Sequence, residues 1–268
     1  MFLQEKVVIL TGASSGIGRA LAYKLAEKGA KLVLVSRNEN KLTQLSKELN
    51  DLYSIKVLVL ARDLTQKDDI ESTVEDAMKY FARIDFLINC SGIGSFKKAI
   101  DYSYDEMDYM FKLNVYGMMY LAQLVAREMI IQSIPGHIFF VASVAGKIAT
   151  ANSSVYSASK FAIIGYSNSL RLELKRFSIN VTTINPGPTQ TDFFSHEEES
   201  QDYFEQVKWL SLKPEDLAED IVEYMNANKV KREITRPRFF TLVDILYKLF
   251  PKTGDYLAGD LFNFKENQ

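Results

Sequence analysis

The chain of 268 residues is poor in several things, and each shortage excludes something. It has 1 Cys, Cys90, so no disulfide can form within it, and a reducing compartment and a cytoplasmic location are expected. It has 2 His, His137 before an expected strand and His196 in an acidic loop, without metal-ligand spacing, so no metal site is expected. Lys and Arg number 32 against 34 Asp and Glu, and no stretch is strongly basic, which argues against a nucleic-acid partner. No apolar run approaches the length needed to cross a bilayer. "MFLQEKVVIL" enters an expected strand at once and leaves no room for a signal or transit peptide.

What is present is ordinary globular composition, 47% hydrophobic and 25% charged, in a chain long enough to bury a large core. Short apolar runs alternate with helical stretches. "KVVILT" (6–11), "KLVLVS" (31–36), "IKVLVLAR" (55–62), "DFLINC" (85–90), "GHIFFVAS" (136–143) and "INVTTINPG" (179–187) read as strands. Helices are expected from residue 16 to Gly29, over "NENKLTQLSKELN", over about 67–82 and from Ser154 to Phe177. The strands are apolar on both faces, as in a parallel sheet covered on both sides. The pattern predicts an α/β fold, a doubly wound parallel sheet of the Rossmann type in three layers, α/β/α. One domain is expected over 1–268, including a substrate-loop segment at 190–212 and a C-terminal helical extension at 237–268.

"TGASSGIG" (11–18) stands where the first strand meets the first helix, with spacing Gly-x-x-x-Gly-x-Gly. Gly12 allows the tight turn, and Gly16 and Gly18 let the backbone approach a pyrophosphate at the helix N-terminus. Ser14, Ser15 and Ile17 complete the expected phosphate-binding turn. At the end of the second strand a dinucleotide site that prefers NAD carries an acid for the ribose 2′-hydroxyl. Here Ser36 and then Arg37 stand there, and a guanidinium grips a 2′-phosphate, so NADP(H) is favoured over NAD(H).

"YSASK" (156–160) is ambiguous alone: with 14 Tyr in the chain, roughly one Tyr-x-x-x-Lys arises by chance. Its company is more specific. In order come "TGASSGIG" at 11–18, "RDL" at 62–64, "NCSG" at 89–92, Asn114, Ser143, "YSASK" at 156–160 and "PGPTQT" at 186–191. On these motifs the chain resembles the short-chain dehydrogenase/reductase family, in its compact single-domain branch, over about residues 5–235. The resemblance implies that Asp63 and Leu64 border the adenine and that Asn89 to Gly92 line the nucleotide crevice. It also implies that the backbone from Pro186 and Gly187 to Thr189 holds the nicotinamide carboxamide, while Thr191 reaches the phosphates. Two departures stand out: Cys90 and Ser91 replace the middle of the family's usual Asn-Asn-Ala-Gly, and Thr189 stands where Val is frequent.

Carbonyl reduction needs a hydride donor, a proton donor and a group that holds the carbonyl oxygen. Ser143, at the end of a strand, is expected to hold the oxygen, and Tyr156 to exchange the proton. Lys160 shares a helix face with Tyr156. A positive charge at about 5 Å and an effective dielectric near 20 favours phenolate by roughly 3 kcal/mol, about two pKa units. The resemblance also gives Tyr156 and Lys160 a place beside the nicotinamide ribose and Asn114 a water-mediated proton relay.

In the loop segment, Phe193, Phe194, Tyr203, Phe204 and Trp209 either form a lid over an apolar pocket or pack the loop down, and "EEES" (197–200) reads as a solvated charge run. "REIT" (232–235) is an expected last strand, after which residues 239, 242, 243, 246, 249 and 250 form one apolar helix face ended by Pro251. Asp244 and Lys248 exclude a membrane span there. The face has three expected uses: covering the substrate mouth, pairing subunits, or peripheral contact with a membrane. The leading expectation is an NADP(H)-dependent enzyme interconverting a small-molecule carbonyl and alcohol, as a homodimer or homotetramer. A catalytically idle NADP-binding regulator and a sugar-nucleotide epimerase or dehydratase are the alternatives.

Overall fold

The computed structural model describes residues 2–194 and 198–256. His196, Glu197 and residues 257–268 of the expected tail lie outside them, as do the side chains of Phe194, Glu198, Glu199 and Tyr203. Seven parallel strands form one sheet: β1 (Val7–Thr11), β2 (Lys31–Ser36), β3 (Val57–Ala61), β4 (Phe86–Asn89), β5 (Gly136–Val141), β6 (Ile179–Pro186) and β7 (Glu233–Arg236). Their order is β3-β2-β1-β4-β5-β6-β7, so the winding of the chain across the sheet reverses between β1 and β4. Open α/β sheets bind ligands at that switch point, beyond the C-terminal strand ends.

Alternation along β1 builds the three layers. Val7 and Ile9 face the layer of α3 (Lys67–Phe81), α5 (Met118–Ile131) and α6 (Ser154–Leu174). Val8 and Leu10 face α1 (Gly16–Glu27), α2 (Glu39–Tyr53) and α8 (Pro214–Asn226). All five residues of β1 are buried, so every side chain on either face removes apolar surface from water.

The sequence reading left 91–135 unassigned. There the chain forms α4 (Tyr104–Phe111), started by a Ser103–Glu106 capping box, then a π-helical turn over Lys112–Gly117, then α5. Single π-turns are rare and cluster at functional sites. This one carries Asn114.

The 190–212 segment is not an open loop. It holds α7 (Glu198–Val207), and its ends are pinned together where Gln190 N–H donates to Leu212 (2.9 Å) and Leu212 N–H to Pro188 (2.8 Å). After β7 come α9 (Phe239–Leu249) and α10 (Pro251–Tyr256). The single apolar face expected for α9 is in fact split. Phe239, Val243, Leu246 and Phe250 border the cleft beyond the strand ends, whereas Leu242 and Leu249 are exposed and do not border it.

The reason for the split is Asp244, which the sequence shows only as a charge that excludes a membrane span. It is buried, because Lys147 lies 3.1 Å away and is itself buried. Glu233 also pairs with Lys147 at 2.7 Å, and Lys248 lies 2.8 Å from Asp244. A buried carboxylate requires such partners, and meeting them turns the helix. No described helix is long and apolar enough to cross a membrane.

Candidate active site

Beyond the strand ends runs a cleft of about 1560 Å³. Its floor is the turn from β1 into α1. Gly12 has φ +67°, and a Cβ there would come within 2.9 Å of the Cys90 carbonyl. A Cβ on Gly18 would lie 2.1 Å from the Gly12 carbonyl, so only glycine allows α1 to start this close to the strand. Thr11 ties the turn to the end of β4, its Oγ1 accepting from the N–H groups of Cys90 (2.9 Å) and Ser91 (3.0 Å).

Whether this turn fits a dinucleotide can be tested on α1. Its N-cap, Ser15, makes no side-chain capping bond, and no acidic residue occupies the first turn. The first N–H groups and the positive end of the helix dipole therefore remain available to phosphate. The residues fit the group.

Gly12, Ser14, Ser15, Gly16, Ile17 and Gly18 all border the cleft, as do Ser36, Arg37, Asp63, Leu64 and Gly92. So do Ser143, Tyr156, Lys160, Pro186, Gly187, Thr189 and Thr191. Asn89 and Asn114 do not; both are fully buried behind its wall. Arg37 is exposed at the rim and donates to the Tyr109 hydroxyl. Asp63 accepts from the Thr65 N–H (3.0 Å) and hydroxyl (2.9 Å), which fixes the turn after β3.

Also bordering the cleft, Ser143 caps a short 3-10 turn, its Oγ accepting from Ala145 N–H (3.1 Å). That bond uses a lone pair and leaves the O–H able to donate. Tyr156 lies in the first turn of α6, its ring 5.5 Å from Phe96 and 5.7 Å from Phe193. Lys160, one turn on, places Nζ 5.6 Å from the centre of the Tyr156 ring and donates to the Val141 carbonyl (3.1 Å). Burial pulls the Lys160 ammonium down to about 8. Cys90 also borders the cleft, and burial pushes its thiol up to about 12, which leaves it a poor nucleophile at neutral pH.

Asn114 has its amide fully engaged. Its Oδ1 accepts from Ile93 N–H (3.0 Å), and its Nδ2 donates to the Ile93 carbonyl (2.9 Å) and to Ser159 Oγ (3.1 Å). The π-turn thus clamps the segment after β4 to the helix turn between Tyr156 and Lys160.

Sequence reasoning missed Phe96, which sits in an irregular stretch without periodic signal. Of the three uses expected for the α9 face, covering the substrate mouth agrees with Phe239, Val243, Leu246 and Phe250 bordering the cleft. Of the loop aromatics, Phe193 and Phe204 pack with the Tyr156 cluster. Trp209 does the opposite: it borders the cleft and stays 76% exposed.

Comparison with known proteins agrees with this geometry. The family described as short chain dehydrogenase matches over residues 6–202. An uncharacterized oxidoreductase of Staphylococcus epidermidis is 35% identical over 234 residues, covering 85% of this chain and 96% of that protein. The crystal structure of a short-chain type dehydrogenase/reductase from Mycobacterium marinum superposes with a TM-score of 0.82 at 27% identity, over 89% of this chain and 96% of that one. A short chain dehydrogenase/reductase from Burkholderia phymatum, solved in complex with NAD, gives a TM-score of 0.85 over 94% of this chain and 96% of its own. At 22% identity, that likeness concerns the fold. The chain is an oxidoreductase of the short-chain dehydrogenase/reductase family.

Proposed function

We propose that the protein interconverts a carbonyl and an alcohol, with NADP(H) as the preferred cofactor. One observation carries this reading: Ser143, Tyr156 and Lys160 border the same cleft as the uncapped N-terminus of α1. When bound there, the reduced nicotinamide supplies the hydride.

The chain's own groups do the rest. Ser143 donates its O–H to the carbonyl oxygen as negative charge develops on it. Tyr156 passes its phenolic proton to the same oxygen, or removes it in the oxidising direction. Lys160 remains mostly an ammonium at neutral pH, since its value of about 8 lies above 7, and its charge favours the phenolate form of Tyr156. Asn114 acts as a positioning residue through Ile93 and Ser159.

Arg37 supports NADP(H) because it stands exposed at the rim beyond β2, and the strand itself ends in Ser36 rather than in an acid that would hold a ribose 2′-hydroxyl. The test is NADPH absorbance across aldehydes and ketones of graded size, with the product alcohol identified. Alcohol formed in step with NADPH consumed supports the reading. Tight NADPH binding with no turnover of any carbonyl refutes it and favours an idle nucleotide-binding protein.

A further inference from the structure

We infer that the substrate carries a long apolar chain, which lies along α9 while its carbonyl reaches Ser143 and Tyr156. This rests on the carbonyl reading of the same site.

The reason lies in how α9 is held. Asp244 anchors α9 to the protein, and Phe240 and Tyr247, on the same side of the helix, also border the cleft. A Cβ on Gly187 would lie 3.0 Å from the Phe240 ring, Asp244 is paired with buried Lys147, and the Tyr247 hydroxyl pairs with Asp255 (2.8 Å). With its one carboxylate turned inward, the helix presents Phe239, Val243, Leu246 and Phe250 to the cleft, at i, i+4, i+7 and i+11. This stripe is about 16 Å long. Leu246 is 46% and Phe250 60% exposed, a cost in water that a lipophilic ligand removes.

The 190–212 segment adds apolar lining. Phe193, Val207, Trp209 and Leu210 border the same cleft. The cations bordering the cleft among the described residues are Arg37, Arg62 and Lys160, and none of them lies on α9 or in the 190–212 segment. A phosphorylated or carboxylated substrate tail would find no described cation there. The stripe is continuous with the cleft that holds Tyr156, which distinguishes it from the exposed Leu242, Ile245 and Leu249 on the other side of α9.

The chain contains 1 Trp, Trp209, and it stands in this lining, so its emission reports occupancy without turnover. Butanol, octanol and tetradecanol are titrated into the Tyr156→Phe variant with NADP present. A saturable blue shift is expected, with affinity rising about fourfold per methylene, on the order of a hundredfold from butanol to octanol. Leu246→Lys and Phe250→Lys alter exposed side chains, so they should fold; each is expected to weaken tetradecanol binding at least tenfold. In wild type, kcat/KM should rise from butanal to octanal to tetradecanal, and these variants should flatten that rise.

No shift, or equal affinity at all lengths while short aldehydes are reduced, overturns the inference and leaves the carbonyl reading standing. A shift with phosphatidylcholine vesicles but not with dissolved alcohols makes the stripe a membrane contact, and also overturns it. Graded alcohol binding with no aldehyde reduced supports the apolar chain site and refutes the carbonyl reading instead.

Discussion

The Lys147–Asp244 pair is expected to decide whether α9 stays on the protein, and its worth can be worked from its surroundings. Both side chains are nearly withdrawn from water, at 6% and 7% exposure. Removing one partner of a buried ion pair costs about 3–5 kcal/mol, because the remaining charge stays buried. Lys147 keeps Glu233 at 2.7 Å, a carboxylate that is 32% exposed, so Asp244→Ala should fall at the low end, about 3 kcal/mol.

For a chain of this size that lowers Tm by about 6–12 °C. Scanning calorimetry at matched scan rates measures it, with Glu205→Ala as control. Glu205 pairs with Lys208 at 2.8 Å, but both are more than half exposed, and the change should be within about 1 °C. The double variant Lys147→Met/Asp244→Leu should recover most of the loss, since apolar groups of similar volume replace a buried pair at little cost. The reasoning fails if Asp244→Ala melts within about 1 °C of wild type, or if the double variant loses the sum of the two single losses.

Three further outcomes are expected. Arg37→Ala should weaken NADPH binding at least tenfold while NADH binding changes little; equal losses, by isothermal titration, would contradict the 2′-phosphate role. Lys160 is held down at about 8 by burial, so its charge is present below that pH and lost above it. Carbonyl-reducing kcat/KM should therefore fall about tenfold per unit on the alkaline side, and a flat profile well above pH 8 would count against the role of its charge. Burial also pulls His137 from 6.5 to about 3, with its ring Nε2 2.8 Å from Thr182 Oγ1. Thr182 donates its hydroxyl proton to Lys231, so Nε2 carries the proton given to Thr182. As pH falls below 6.5 the unfolded chain binds a proton that the native one refuses, so stability drops by about 1.4 kcal/mol per unit until about pH 3. His137→Phe should flatten that limb in urea titrations, and an unchanged slope would show that another group sets it.

How much of this was legible follows from how local each signal is. The strands, the glycine turn and the spacing of Tyr156 and Lys160 are written in runs of a few residues, where period and turn chemistry decide the structure. The stretch 104–131 was not legible because the π-turn at Lys112–Gly117 breaks the helical period between α4 and α5. The burial of Asp244 was not legible because its partner, Lys147, lies 97 residues away, and no local pattern joins them. Phe96 and Phe193 reach Tyr156 only through tertiary packing. Asn114 could be placed by resemblance, but that its amide clamps Ile93 to Ser159 emerges only from the fold.

The central claim is that Tyr156 is the proton-transfer group of an NADP(H)-dependent carbonyl site. Its most direct test compares wild type and Tyr156→Phe for aldehyde-dependent NADPH oxidation, alongside the Kd for NADPH of each. The account predicts that kcat falls by at least about a hundredfold while the Kd changes less than about threefold, because loss of general acid–base catalysis removes about 10²–10⁴ in rate. A Phe variant that reduces aldehydes at near wild-type kcat would contradict it.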